Sequence, residues 1–224
     1  MSEGLITDGL AWEGALLAVA DTKTPPDYTL MQLRREGVPE LAKALGDWYP
    51  DLRVSGEQCH LDPEFYYQHC ALAGETSERP VLAIVATNRG AVVGVLTLER
   101  DVPSLTVSCR VGAIAPDHRG PALALLGPQL LERVGRRMGA ALVLYYATLQ
   151  TPHQQLLAER CRFVLVGIVP ACDQNYASGH AVKRVYEAIY AKVLCDDASV
   201  ALPPEGALTL KTRAVWRALF PGQS

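Results

Sequence analysis

The sequence predicts an α+β fold: one sheet with helices on both faces. Three observations carry that prediction. Three strand-like apolar stretches (81–88, 91–100 and 105–115) follow one another before the first long amphipathic helix. The third leads through the turn "IAPDHRGPALALLG" (114–127) directly into that helix. Beyond it, strand and helix alternate, giving the order β-α-α-β-β-β-α-β-α-β-β.

Residues 1–26 form an N-terminal extension that stops at Thr24-Pro25-Pro26. "YTLMQLRR" (28–35) has strand character. Helix 38–49 has Pro39 in its first turn and places Leu41, Leu45 and Trp48 at four- and three-residue steps. A second helix lies within 61–74, with Asp62 as N-cap ahead of Pro63. Arg89-Gly90 joins the first two central strands as a hairpin. Helix 120–139 carries Leu123, Leu126, Leu130, Val134 and Met138 on one stripe, and Gly139 ends it. Pro128 inside it is expected to kink or divide the helix, at roughly 3 kcal/mol. Strand 140–149 follows, then a helix from Thr151-Pro152 to about residue 161, strand 163–171, a polar loop at 172–183 and a strand at 184–194. The main domain is read as 27–195. The extension 196–224 is read as packing on it, as a strand or a helix anchored by Val215, Trp216 and Leu219.

The chain has 224 residues, 49% of them hydrophobic and 20% charged, enough for a real core. A net charge of −3 supplies no basic surface for nucleic acid. Six scattered cysteines without a C-x-x-C pair read as reduced thiols. The apolar run "ALLAVA" (15–20) follows Glu3, Asp8 and Glu13 without a Lys or Arg, so neither signal peptide nor membrane span is expected. The expectation is a soluble cytoplasmic protein.

These pieces, in this order, resemble the GCN5-related N-acetyltransferase superfamily across residues 27–195. The resemblance rests on the three-strand meander ending in "VGAIAP", "DHRGPALALL" as strand–turn–helix, "ALVLYYAT", "TPHQQLLAERCRF" and "FVLVGI". It implies a mixed, mostly antiparallel sheet. The family's fourth strand (here 105–115) carries a bulge and splays from the fifth (140–149), opening a cleft for the pantetheine arm of acetyl-CoA. The family's loop, Arg/Gln-x-x-Gly-x-Gly/Ala, matches Arg119, Gly120, Pro121, Ala122, Leu123 and Ala124, with Ala122 where glycine is usual. Backbone N–H groups at such a helix start suit a pyrophosphate. Ala113, Ile114 and Ala115 are then expected to pair with the pantetheine, and Gln155 to touch the cofactor.

Proton handling departs from the family. Cys109 stands where many relatives carry a Glu, and Ala158 where many carry a Tyr. Of His153, Tyr146, Tyr176, Tyr186 and Glu187, His153 is the preferred catalytic group, because imidazole titrates near neutral pH. Arg133, Arg136 and Arg137 read as a solvated helix face. "CH" (59–60) and "HC" (69–70) offer zinc-type ligands, but adjacent side chains point apart, so no metal is expected.

The expected activity is acyl transfer from acetyl-CoA to a small-molecule or peptide amine by direct transfer in a ternary complex. Loops 49–60 and 172–183 would shape the acceptor site, where Asp173, Glu57 and Asp62 lean toward a basic amine. Two alternatives stand beside it: a binding or regulatory module that has lost catalysis, and an enzyme using a longer or carrier-bound acyl donor. A homodimer is a candidate assembly.

Overall fold

A computed structural model describes residues 10–75, 78–177 and 181–221. The first nine residues of the N-terminal extension, three of the polar loop and the last three of the chain lie outside it. Among the described residues, fourteen helices and strands follow in order: α1 (Trp12–Ala20), β1 (Tyr28–Gln32), α2 (Val38–Trp48), α3 (Pro63–His69), β2 (Cys70–Ala71), β3 (Val81–Asn88), β4 (Ala91–Asp101), β5 (Thr106–Ile114), α4 (Pro121–Met138), β6 (Leu142–Thr148), α5 (His153–Arg160), β7 (Val164–Tyr176), β8 (Val182–Val193) and α6 (Leu210–Leu219). Short 3-10 turns fill several connections.

One sheet runs β1-β3-β4-β5-β6-β8-β7, with β2 beside β3. It is antiparallel except at β2/β3 and β5/β6. Local chemistry explains its joints. Arg89 and Gly90 both take positive φ (50° and 86°), the twist a two-residue hairpin needs. Asp62 accepts the Glu64 N–H at 3.0 Å and so starts α3. Gly139 ends α4 in the left-handed conformation (φ 75°).

The sheet separates two apolar layers. One packs Leu82, Leu98, Val107, Val143 and Tyr145 against α1, α4 and α5. The other packs Val81, Val85, Val95 and Val111 against α2 and α3. Trp12 of α1 is fully buried, donates from Nε1 to the Arg79 carbonyl (2.8 Å), and lies under the Arg100 guanidinium. The sequence reading assigns no helix there, because "ALLAVA" is apolar nearly all round and shows no stripe.

Two further expectations meet a different structure. Helix α4 is not divided at Pro128: it runs unbroken from Pro121 to Met138 with Pro128 buried inside it. Strand β7 does not stop at 171, and residues 173–176 pair with 182–185 of β8. The reason is a bulge: Pro170, Ala171 and Cys172 lie between the paired residues Val169 and Asp173, with Ala171 at φ 55°. No helix among the described residues is long and apolar enough to cross a membrane.

Gly14 marks how closely α1 approaches α4. A Cβ there would stand 2.7 Å from the Arg137 carbonyl oxygen, a backbone atom that cannot swing aside. Gly14→Ala should therefore cost about 1–3 kcal/mol in urea unfolding despite alanine's better helix propensity.

Candidate active site

The site begins with one extra residue in β5. Thr97 of β4 pairs with Val111 and its neighbour Leu98 with Cys109, so Arg110 is a bulge. The bulge reverses the pleat. Val107 and Cys109 face the α4 layer, while Val111 and Ala113 face the α2 layer. It also marks the splay, since β5 pairs with β6 only over Thr106–Cys109 against Leu142–Tyr145. Beyond that point the two strands leave an open cleft, as the family resemblance implies.

The cleft wall is read from the ladder. Ala115 N–H donates to Val93 O (2.8 Å), so residues 111, 113 and 115 turn their backbone groups toward β4. Ile114 and Gly112 therefore turn theirs to the cleft. Of the three strand residues expected to meet a pantetheine, Ile114 is the one whose backbone N–H and C=O face away from β4. Ala113 and Ala115 have their N–H groups directed at β4, and Gly112 joins the wall instead.

Ile114 has a protein partner across the cleft mouth. The Tyr49 hydroxyl accepts its N–H and donates to its C=O, both at 3.2 Å. Arg119, expected at the pyrophosphate, donates from Nε to the same carbonyl (3.2 Å) and from its terminal nitrogen to Trp48 O (3.0 Å). Its guanidinium stacks 4.7 Å above the Tyr49 ring. At the start of α4, Gly120 is the N-cap without a side-chain bond, and Ala124 N–H already reaches Gly120 O (3.0 Å). Pro121 has no N–H, leaving those of Ala122 and Leu123 as the first-turn donors that could hold a pyrophosphate.

His153 is the exposed first residue of α5. Gln155 donates to Thr151 O (3.1 Å), and Gln154 Oε1 accepts the Thr148 N–H (3.3 Å), fixing the end of β6. Ala158 is fully buried. Cys109 is core, and burial pushes its thiol up to about 12. Arg133 and Arg137 bond to Thr22 and Asp21 at the end of α1, and Arg136 to Glu132.

Residues 49–62 strap across the α2 side of this cleft. Glu57 takes a bidentate bond from Arg110 (3.0–3.2 Å), which also reaches Glu99 at 3.4 Å. His60, fully buried, faces Glu57 through Nδ1 (3.2 Å to Oε2) and Thr97 Oγ1 through Nε2 (3.0 Å). Thr97 Oγ1 accepts the Val111 N–H at 3.0 Å. Its own hydrogen is thus available to His60 Nε2, which leaves the Nδ1 hydrogen for Glu57. Burial opposes charge on both residues. Bonds to Cys59 and Glu57 nevertheless hold His60 above the ordinary imidazole value, and bonds to His60 and Arg110 hold Glu57 below the ordinary carboxylate value. Glu57, Cys59 and His60 could present metal ligands within 4.8 Å of one another. Glu57 and His60 are instead engaged by Arg110 and Thr97, and the fixed cation at Arg110 opposes a second one. His69 and Cys70 lie apart, at the junction of α3 and β2.

The far end of the strap reaches β7, where Gly56 N–H donates to Asp173 (2.7 Å). An open depression of about 560 Å³ lies there, lined by Ser55, Gly56, Cys172, Asp173 and Arg184. Glu187 of β8 stands behind Cys172, opposite Thr148 of β6, on the same face as Tyr146. Burial raises the Glu187 carboxyl above its usual range, and nearby Asp173 and Glu57 raise it further, against a lowering bond from Cys172. Sequence reasoning missed Tyr49 and Arg110, because their contacts span 65 and 53 residues and leave no local pattern.

No family model matches the sequence, and no curated protein matches it. Solved structures do. Spermidine N-acetyltransferase from Vibrio cholerae, described as dodecameric, superposes with a TM-score of 0.58 at 16% identity, over 75% of this chain and 95% of that one. An IAA acetyltransferase from Bacillus cereus gives 0.51 at 17%, over 75% and 99%. A ribosomal L7/L12 alpha-N-protein acetyltransferase gives 0.55 at 13%, over 78% and 98%. The chain has the fold of the GCN5-related N-acetyltransferases.

The strap's charges give a pH signature. The lowered Glu57 contributes stability that is present above its unfolded value and lost as pH falls through the folded one. The raised His60 contributes stability that is present below its unfolded value and lost as pH rises through the folded one. Glu57→Gln should cost about 1–3 kcal/mol at pH 6, with the deficit shrinking below the carboxylate range, measured by urea unfolding across pH.

Proposed function

We propose that the chain is an N-acetyltransferase that moves an acyl group from acetyl-CoA to an amine by direct transfer in a ternary complex. One observation carries the reading: the Arg110 bulge ends β5/β6 pairing and leaves Gly112 and Ile114 facing a cleft near the start of α4. Such a cleft fits an extended amide-bearing arm, and the Ala122 and Leu123 N–H groups fit its pyrophosphate. Bound there, acetyl-CoA supplies a thioester as acyl donor. Gly112, Ile114 and residues 119–124 form the proposed cofactor wall, with Ala113 and Ala115 holding that strand to β4 and Gln155 at the start of α5. His153, exposed at the head of α5, is the proposed group for returning a proton to the departing sulfur.

The acceptor side is the face bearing Glu57, Glu99, Asp173 and Glu187. Its carboxyl groups favour a cationic small-molecule or peptide amine. We read the protein as cytoplasmic and able to form a homodimer.

The test is thermal unfolding with acetyl-CoA, using Ala122→Glu. Glutamate in the first turn suits the helix dipole but repels a pyrophosphate. The wild type should gain about 2.7 kcal/mol at a hundredfold excess over Kd, and the variant should fold normally and gain far less. No gain in the wild type contradicts the reading.

The Tyr49 bonds favour a second reading, a binding module whose cleft is filled by its own side chain. Tyr49→Phe separates the two. If the strap yields to the cofactor, freeing the Ile114 N–H and removing one of the two bonds to its C=O should tighten acetyl-CoA by up to about tenfold, since a neutral hydrogen bond contributes about 0.5–1.5 kcal/mol. A filled, retired cleft predicts no acetyl-CoA binding in either protein, read by calorimetry.

A further inference from the structure

Building on the acyltransferase reading, we propose that Glu187 is the proton acceptor for the incoming amine, so that the base is supplied by β8 rather than by β5. The other three carboxylates of this face are already committed. Glu57 and Glu99 pair with Arg110, and Asp173 holds the Gly56 N–H. Among the described residues Glu187 has no ion pair. The charged and titratable groups around it are Cys172 and Asp173 of β7, Glu57 of the strap and, diagonally on β6, Tyr146. None is basic, so the carboxyl is held ready for a proton rather than neutralised.

Its placement is rigid. Glu187 is in register with Thr148 on one side and Val169 on the other, and the next residue, Tyr186, accepts the Leu149 N–H at 3.0 Å. The bulge at 170–172 lies directly beside the Val169–Glu187 pair. Bulges re-aim side chains beside functional sites. Tyr146, 37% exposed, is the first β6 residue beyond the β5/β6 pairing, and Glu187 lies on its face of the sheet opposite Thr148, two residues further along β6. Cys172 lines the open depression, so a proton taken by Glu187 has a short way to water.

In the transfer, Glu187 takes one proton from the acceptor's ammonium. The freed lone pair forms the N–C bond while the C–S bond breaks, His153 returns a proton to the leaving sulfur, and the second proton from nitrogen replaces it on His153. Amide, thiol and protonated Glu187 result.

The test compares wild type with Glu187→Gln using two acceptors, spermidine and hydroxylamine, and following thiol release. Spermidine is cationic near neutral pH, whereas hydroxylamine is largely neutral and needs no base before attack. The variant should lose about a hundredfold or more in kcat with spermidine and less than about tenfold with hydroxylamine, while its stabilisation by acetyl-CoA is unchanged. Equal losses with both acceptors, no loss, or acetyl-CoA binding with neither acceptor turned over by the wild type would each overturn the assignment. Absence of acetyl-CoA binding to the wild type would remove the parent reading first.

A second readout needs no turnover. A carboxyl raised in the fold binds more protons than in the unfolded chain between its two values, so stability falls as pH rises through that window. Glu187→Gln should be more stable than wild type at pH 8 and should lose that advantage below the carboxylate range. A variant less stable than wild type at pH 8 would also overturn the proposal.

Discussion

Everything distinctive in this molecule depends on one inserted residue, Arg110, in the middle of the sheet. Without the bulge, the period-two pleat would keep residues 107, 109, 111 and 113 on one face. With it, the strand packs its first half against α4 and its second half against α2. The same residue marks the end of β5/β6 pairing and carries the guanidinium that holds Glu57 and Glu99. Cleft, strap and acidic face are therefore consequences of a single local irregularity.

The strap shows how the fold manages that irregularity. A bulge leaves backbone groups unpaired, and buried unpaired groups cost about 1–3 kcal/mol. Here Thr97 Oγ1 accepts the Val111 N–H, His60 completes Thr97, and Glu57 completes both His60 and Arg110. Tyr49 does the same for Ile114, with Arg119 stacked on it. Both backbone groups of Ile114 are thus satisfied within the protein.

Much of the fold was legible in the sequence. Hairpin, helix caps and the strand–turn–helix at 114–127 follow from local chemistry: Arg89-Gly90, Asp62-Pro63, Gly139 and the leucine stripe of α4. Helix α1 was not, since its uniform apolarity hides its period, and the end of β7 was not, since Pro170 and the bulge imitate a strand end. The strand that runs past the β5/β6 splay was legible as a segment, but the residues that face it were not. Which amides face the cleft depends on where the bulge falls, and Arg110 carries no local mark of it. Arg119 illustrates the limit. Its position matched a loop pattern, yet its side chain bonds to Ile114 and to Trp48, 71 residues away.

The most direct test of the bulge-and-cleft account is a titration of the 15N-labelled protein with coenzyme A, followed by amide chemical shifts. The account predicts the largest changes at Gly112, Ile114, Ala122 and Leu123, with Ala113 and Ala115, whose N–H groups face β4, moving less. Saturating coenzyme A with no change at these amides, or changes confined to β7 and α6, would contradict it.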